Sequence, residues 1–471
     1  MTDIPLCVDL DGTLLKTDTL VEGFLACLKK KPLSLVQAPF WLFKGKAVLK
    51  RKIFETIELN PHVLPYHLDF LDYLHGEYEK GRKLILATAA HERIATSIAQ
   101  HLNIFSEVFS TNHTNLKGSS KCEILEKRFG KKKFGYAGNA HIDLLVWKEA
   151  GEGIVVNASP RLLQKAEKMT SVVKFFPQKR GTFLKILKAM RLYQWVKNLL
   201  VFIPLILAHR VTEISLFQDA VVAFFSFGLC ASSVYLLNDL LDLEADRLHP
   251  RKRLRPFASG ELSPWIGIFF IPLLLITSFL TALTLSIWFV VTLGIYYVLT
   301  LSYSLYLKRI PLIDVVLLAM LYTLRLIAGI ASVHVPISPW LFAFALFFFL
   351  SLALVKRSSE LTMMQKENLE SSLGRGYRPD DLELLTMMGI SSGFLSVLVL
   401  ALYIHSEDVS VLYAQPMFLW LICPFFLYWI GRIWFLTRRG GIPDDPILFA
   451  AKDKISYVIG SFIFFILYVA S

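Results

Sequence analysis

Two hydrophobic patterns divide this chain of 471 residues. Up to about residue 190, apolar positions come in short runs separated by mixed charge. Ile4-Pro5-Leu6-Cys7-Val8 and Leu84-Ile85-Leu86-Ala87-Thr88 have the length of buried strands. Residues from about 20 to 80 follow a helical pattern and predict a small cap. From residue 194 the apolar runs lengthen to 15–23 residues between short charged loops, long enough to cross hydrocarbon. Nine spans are predicted: 194–209, 217–238, 264–283, 285–306, 311–333, 338–355, 385–404, 413–431 and 455–471. The expected fold is therefore a soluble α/β domain over 1–175, a basic juxtamembrane linker over 176–193, and an all-α membrane bundle of about nine helices over 194–471. The linker is Lys-rich (Lys179, Arg180, Lys185, Lys188, with Lys174 just before it), as suits a segment near anionic lipid.

Charge then orients the bundle. Loops 240–263, 307–310, 356–384 and 432–454 carry five, two, five and five Lys or Arg, whereas the alternate loops carry Arg210 alone. Basic loops stay on the cytoplasmic side. The prediction is a multi-pass protein of the cytoplasmic (inner) membrane with its N-terminal domain in the cytoplasm. The net charge of +12 is explained by these loops, and no nucleic-acid motif accompanies it. No secretory signal is expected, because Asp3, Asp9 and Asp11 interrupt the first 16 residues. Five scattered cysteines suggest neither a disulfide framework nor a zinc site.

The richest chemistry lies at the end of the second span, in Asn238-Asp239-Leu240-Leu241-Asp242-Leu243-Glu244-Ala245-Asp246, followed by the basic run Arg247 to Arg255. Asp239, Asp242 and Asp246 are three and four residues apart, so on a continuous helix they share one face. Three such carboxylates repel unless a cation lies between them, and hard oxygen ligands suit Mg²⁺, which in turn binds phosphate. Acids at a membrane edge are costly and point to function. The expected site takes a diphosphate-bearing substrate at a bilayer surface. Further polar positions interrupt the apolar runs: Lys197 and Asn198 in the first span, Asp314 and Arg325 in the fifth. Lys308, Lys356, Arg357, Glu360 and the Asp444-Asp445-Pro446 stretch stand in the basic loops. An Arg as deep as Arg325 needs either a structural partner or an anionic ligand.

From about residue 185 onward the chain resembles the UbiA superfamily of intramembrane prenyltransferases. Asn238, Asp239, Asp242 and Asp246 match its first motif, NDxxDxxxD. Its second motif, commonly DxxxD, is missing from loop 356–384, where Lys356, Arg357 and Glu360 stand instead. Gln194-Trp195-Val196-Lys197-Asn198, Tyr303-Ser304 followed by Lys308, and Asp314 with Arg325 look like the decaprenyl-phosphate phosphoribosyltransferase branch. The resemblance implies a Mg²⁺-dependent transfer of 5-phosphoribose from phosphoribosyl pyrophosphate to a polyprenyl phosphate. Asp239, Asp242 and Asp246 would hold the metal and serve catalysis. Asn238, Lys197, Asn198, Arg253, Lys308, Asp314, Arg325, Lys356, Arg357 and Glu360 would bind substrate. The alternative is a UbiA-type transfer of an isoprenoid from a prenyl diphosphate to an aromatic or other small acceptor. A transporter or lipid-binding protein with an appended phosphatase is a third reading; the clustering of acidic motifs on one side weighs against it.

The N-terminal half carries a second motif. Asp9-Leu10-Asp11-Gly12-Thr13 places two acids and a turn glycine just after the first strand. This resembles the haloacid dehalogenase superfamily of phosphatases over about residues 1–175, a Rossmann-like α/β fold. The resemblance implies Asp9 as nucleophile, Asp11 as general acid and base, Thr88 and Lys121 as phosphate ligands, and Mg²⁺ held by Asp9, Asp11 and Asp143. In Gly138-Asn139-Ala140-His141-Ile142-Asp143, an amide replaces one of the family's two acids, which predicts weaker Mg²⁺ binding. A phosphatase fused to such a transferase suggests that the transferred phosphoribosyl group loses its phosphate on the same chain.

Overall fold

The computed structural model describes residues 4–111, 116–178, 181–336, 338–366, 376–442 and 445–471. Readings that rest on Asp3, Lys179, Arg180, Asp444 and, in the charge of loop 356–384, Arg375 lie outside the described residues. Two compact units form: residues 1–190 with 235–271, and residues 191–234 with 272–471. Helices Ile214–Leu241 and Pro264–Ala282 contribute residues to both.

The first unit is built on six parallel strands: β1 (Leu6–Val8), β2 (Leu84–His91), β3 (Glu107–Thr111), β4 (Gly135–Gly138), β5 (Glu152–Ala158) and β6 (Ser171–Pro177), in the order β3-β2-β1-β4-β5-β6. Parallel sheets need both faces covered, so central strands read as unbroken apolar runs. Alternate side chains go to opposite faces. Leu6, Val8, Leu84 and Leu86 pack with Phe70, Leu74, Ile94 and Ile98. Cys7, Ile85 and Ala87 pack with Leu125, Val146 and Trp147. The expected cap is inserted between β1 and β2 and contains helices Thr19–Lys30 and Lys46–Thr56. The first begins at Asp18, whose carboxylate accepts from the Leu20 and Val21 amides.

Seven helices among the described residues are long and apolar enough to span a bilayer: Ile214–Leu241, Pro264–Ala282, Ile287–Leu305, Ile313–Val333, Pro339–Lys366, Pro379–Ile404 and Pro416–Arg439. The first expected span takes another form. Residues Leu192–Phe202 are 3-10 and Ile203–Leu207 α-helical. The ninth is the 17-residue helix Lys454–Ala470. A count of nine is thus approximate. The pair at 264–306 divides at residues 283–286, where the Ser286 hydroxyl caps the next helix by accepting from the Phe289 amide at 3.1 Å. Ile313–Val333 is the most enclosed of the long helices in the second unit, and both its charged residues, Asp314 and Arg325, are buried. Gly329 makes that enclosure possible, because a Cβ there would lie 2.2 Å from the Val201 carbonyl oxygen.

Candidate active sites

The register of the sheet assembles the first site. Val8 pairs with Leu86 on one side and Ala137 on the other. Asp9, Thr88 and the loop after Gly138 therefore leave the sheet at one carboxyl edge, where open α/β sheets bind ligands. The Asp9 amide donates to the Ala137 carbonyl at 3.0 Å. Gly12, at φ 77°, meets the side chain of Asn139 so closely that a Cβ would sit 2.1 Å from Nδ2. Only glycine fits there.

Buried Lys121 donates from Nζ to Asp9 Oδ1 at 2.7 Å and to the Tyr136 hydroxyl at 2.9 Å. Tyr136 passes the chain on, donating to Asp143 Oδ1 at 2.9 Å. The other oxygen of Asp143 accepts from the Asn139 and Ala140 amides at 3.0 and 2.9 Å. Thr88 is fully buried and its hydroxyl accepts from the Ala90 amide. Asp11 turns toward the cap, accepting at 2.8 Å from the Thr19 amide. Asp9, Lys121 and Asp143 are thus joined directly, with Tyr136 as the link, whereas Asp11 belongs to the cap side. Two members were not legible in the motif. Tyr136 is an ordinary strand residue in the sequence. Lys50, on cap helix Lys46–Thr56, donates to the Ala89 carbonyl at 2.5 Å and feels the charge of Asp11.

Burial raises the Asp9 carboxyl, against the pull of Lys121. Burial, with the neighbouring Asp18 charge, lifts Asp11 to about 7. A carboxyl there exchanges protons near neutrality, as an acid–base group must. Burial pushes Cys7 up to about 12, so its thiol is no nucleophile.

The second acidic site breaks the expected shared face. Helix Ile214–Leu241 ends one residue before Asp242, and a new short helix, Leu243–Leu248, follows. Asp239 and Asp246 come together, both buried, and the Arg255 Nη1 lies between them at 3.2 and 2.6 Å. Asp242 pairs with Lys29 at 2.7 Å. Arg255 provides the loop's contact with the acids; Arg253 is exposed, and Asn238 is half-buried. Among the described residues no group of three or more His, Cys, Asp or Glu side chains is arranged to hold a metal ion. Both acidic sites instead hold a protein cation at the centre of the cluster: Arg255 between Asp239 and Asp246, Lys121 on Asp9. Each pair has the hard oxygen donors and the local negative charge that a divalent cation needs.

The membrane unit holds two polar clusters. In one, Lys197 is paired with Asp445. Burial alone would raise Asp445, but Lys197 and Lys356 outweigh it and hold the carboxyl below its usual range. Tyr322 links this group to Arg325, since the Lys197 ammonium and the Arg325 guanidinium lie 5.7 and 5.4 Å from its ring centre. Arg325 donates to Asn198 Oδ1 at 3.1 Å, the Tyr296 hydroxyl at 3.0 Å and the Leu321 carbonyl at 2.5 Å. No carboxylate among the described residues pairs with it. The Asn198 Nδ2, buried beside it, has no hydrogen-bond partner among the described residues. In the other cluster, Arg357 is spent on Asp314, at 2.5 Å, and on Glu360, and Tyr377 donates to Asp314. Asp314 and Arg325, read together in the sequence, therefore serve different clusters. Lys308 lies half-buried in the turn Leu307–Arg309. Tyr296 and Tyr322 were the members that the sequence did not single out; Asp445 stood out only as part of the Asp444-Asp445-Pro446 stretch.

These features define a membrane transferase joined to a parallel α/β domain. The chain belongs to the UbiA prenyltransferase family, which matches residues 199–455. It is 36% identical to protein y4nM of Sinorhizobium fredii, over 98% of this chain and 90% of that protein. It is 29% identical to the decaprenyl-phosphate phosphoribosyltransferase of Mycolicibacterium smegmatis, over 58% of this chain and 88% of that enzyme. A substrate-bound phosphoserine phosphatase structure aligns with 40% of this chain and 98% of its own, at 18% identity and a TM-score of 0.28. The resemblance read from the NDxxDxxxD motif is borne out: this is an integral membrane transferase of the UbiA family, related to the decaprenyl-phosphate phosphoribosyltransferases.

Proposed function

We propose that the membrane unit transfers 5-phosphoribose from phosphoribosyl pyrophosphate to a polyprenyl phosphate. One observation carries the reading: Lys197 and Lys356 act on a single carboxylate, Asp445, and the Tyr322 ring joins Lys197 to Arg325, beside which the Asn198 Nδ2 donor has no hydrogen-bond partner among the described residues. A surplus of enclosed positive charge suits a donor with three phosphate groups better than one prenyl diphosphate. Asp239 and Asp246, with Asn238 and Asp242, would hold Mg²⁺, which supplies charge neutralisation on a leaving pyrophosphate. Lys197 and Lys356 would grip the donor's phosphates, and Arg325 with Asn198 would orient its polar face. The lipid phosphate oxygen attacks the anomeric carbon as the bond to pyrophosphate breaks. Positioning and charge neutralisation supply the acceleration.

The N-terminal domain, on this reading, then removes the 5-phosphate on the cytoplasmic side of the inner membrane. Asp9 attacks phosphorus as Asp11 protonates the leaving oxygen; water, giving its proton to Asp11, then cleaves the acyl phosphate on Asp9 and releases inorganic phosphate, with Lys121 and Thr88 holding the phosphoryl group throughout. Asp9 and Asp143 would hold the cation that assists.

The deciding experiment supplies purified enzyme with polyprenyl phosphate and ribose-labelled phosphoribosyl pyrophosphate, and in parallel with labelled prenyl diphosphates and small aromatic acids. Label from ribose should enter the lipid fraction. Prenylation of an aromatic acid without ribose transfer would refute the proposal in favour of ordinary prenyl transfer.

A further inference from the structure

The cap carries a surface that neither site uses. Residues Pro32–Gln37 form a 3-10 turn and Ala38–Phe43 a short helix. The twelve residues contain no charge, and their apolar side chains face outward: Leu33, Phe40 and Phe43 are 85, 61 and 91% exposed. Val36 and Leu42 are exposed beside them, while Trp41 is buried and fixes the segment to the cap. A contiguous apolar face of this kind marks an interaction surface. Exposed lysines border it on both sides, Lys31 before it and Lys44 and Lys46 after it. The Lys44 ammonium rests 4.5 Å from the centre of the Phe40 ring.

The segment's position tells what covers it. The helix that leads into it, Thr19–Lys30, is fastened by three ion pairs inside the first unit to residues 242–247, which directly follow membrane helix Ile214–Leu241. Lys29 meets Asp242 at 2.7 Å and Lys30 meets Glu244 at 2.9 Å. Glu22 receives Arg247 in a buried two-pronged pair at 2.5 and 3.1 Å. Asp242 is the residue directly after that membrane helix. The apolar segment starts two residues after Lys30, and so near the depth at which a spanning helix leaves the hydrocarbon. Twelve residues of 3-10 and α-helix extend roughly 20 Å, well short of the ~30 Å core, so the segment can lie in the interface but not cross it.

We propose that Pro32–Phe43 is an interfacial membrane anchor of the phosphatase-like cap. Leu33, Val36, Phe40 and Phe43 enter the acyl boundary of an anionic leaflet, while Lys31, Lys44 and Lys46 meet the lipid phosphates. Apolar area and attraction to anionic lipid together set the strength of such binding. The next helix, Lys46–Thr56, carries Lys50 to the Ala89 carbonyl beside Thr88. The anchor thereby holds the roof of the Asp9 site at the lipid surface.

The test uses full-length protein, lacking Cys122 and Cys423, in vesicles of phosphatidylethanolamine and phosphatidylglycerol. Spin labels are placed at Leu33→Cys, Phe43→Cys and, as a control on the soluble domain, Glu79→Cys. All three positions are exposed, so the fold survives the change. At 33 and 43, collisions with dissolved oxygen should exceed those with a water-soluble nickel complex severalfold; at 79 the order should reverse. Lys44→Glu with Lys46→Glu should lower the oxygen-to-nickel ratio at 43 by at least twofold in these vesicles, and leave it unchanged with phosphatidylcholine in place of phosphatidylglycerol. Nickel-dominated collisions at 33 and 43 would place the segment in water and overturn the proposal. Spin–spin broadening that vanishes on dilution with unlabelled protein would overturn it in favour of a second copy. Low collision rates with both reagents would overturn it in favour of packing against protein.

Discussion

Arg255 offers the sharpest test of the acidic motif. Its guanidinium sits 3.2 Å from Asp239 and 2.6 Å from Asp246, two carboxylates that are almost wholly buried. At an effective dielectric of ~20, opposite charges 3 Å apart attract by roughly 5 kcal/mol before desolvation is counted. Removing one partner of a buried pair costs about 3–5 kcal/mol, because the remaining charge loses its compensation. Arg255 is itself 28% exposed, so the lower end of that range applies. Arg255→Ala should therefore lose about 3 kcal/mol when divalent cations are chelated, a fall in melting temperature of roughly 6–12 °C for a unit of this size. If Asp239 and Asp246 are a cation site, Mg²⁺ can take the vacated place. At a hundredfold excess over its dissociation constant it returns about 2.7 kcal/mol. Thermal unfolding of wild type and variant, each with EDTA and with Mg²⁺ titrated, measures both effects. Mg²⁺ should raise the melting temperature of the variant by several degrees more than that of the wild type. An equal loss at every Mg²⁺ concentration would refute the reasoning, since the acids would then be a structural pair for Arg255 alone.

Three further outcomes are expected. Asp9→Asn should abolish Mg²⁺-dependent phosphate release while ribose transfer into lipid continues; loss of both in a folded variant would mean that the two activities are coupled. Asp11, lifted to about 7, carries stabilisation that is complete below the ordinary carboxylate range and lost as pH rises through about 7. Asp11→Asn should thus melt higher than wild type at pH 8 and no higher at pH 4, and wild-type phosphatase turnover should fall above neutrality as the acid deprotonates. Asp314→Asn leaves the buried Arg357 with Glu360 alone and should cost about 3 kcal/mol, whereas Asp314→Leu with Arg357→Leu should be milder than either single change; a double variant that simply sums the single losses would rule out the pair.

Local pattern was enough to place the elements and their chemistry. Strands buried on both faces read as unbroken apolar runs, membrane helices as long ones, and the two motifs are contiguous, so Asp9, Asp11, Asp239, Asp242 and Asp246 stood out before any folding. The 3.6-residue period also predicted one shared face for Asp239, Asp242 and Asp246, and there local reasoning stopped short. The helix ends at Leu241, and Lys29, 213 residues earlier in the chain, pairs with Asp242. Partners are the part that sequence spacing does not encode. Lys197 finds Asp445 across 248 residues, Lys121 finds Asp9 across 112, and Tyr136 becomes the link between Lys121 and Asp143 because parallel register sets β4 beside β1. Arg325 and Asp314 share a helix, yet their neighbours send them to separate clusters, Arg325 to neutral partners and Asp314 to Arg357. A motif fixes which groups are present and their order along one helix or strand. Which charges neutralise one another, and which donors stay unpaired for a substrate, depends on distances through space that only the packed chain sets.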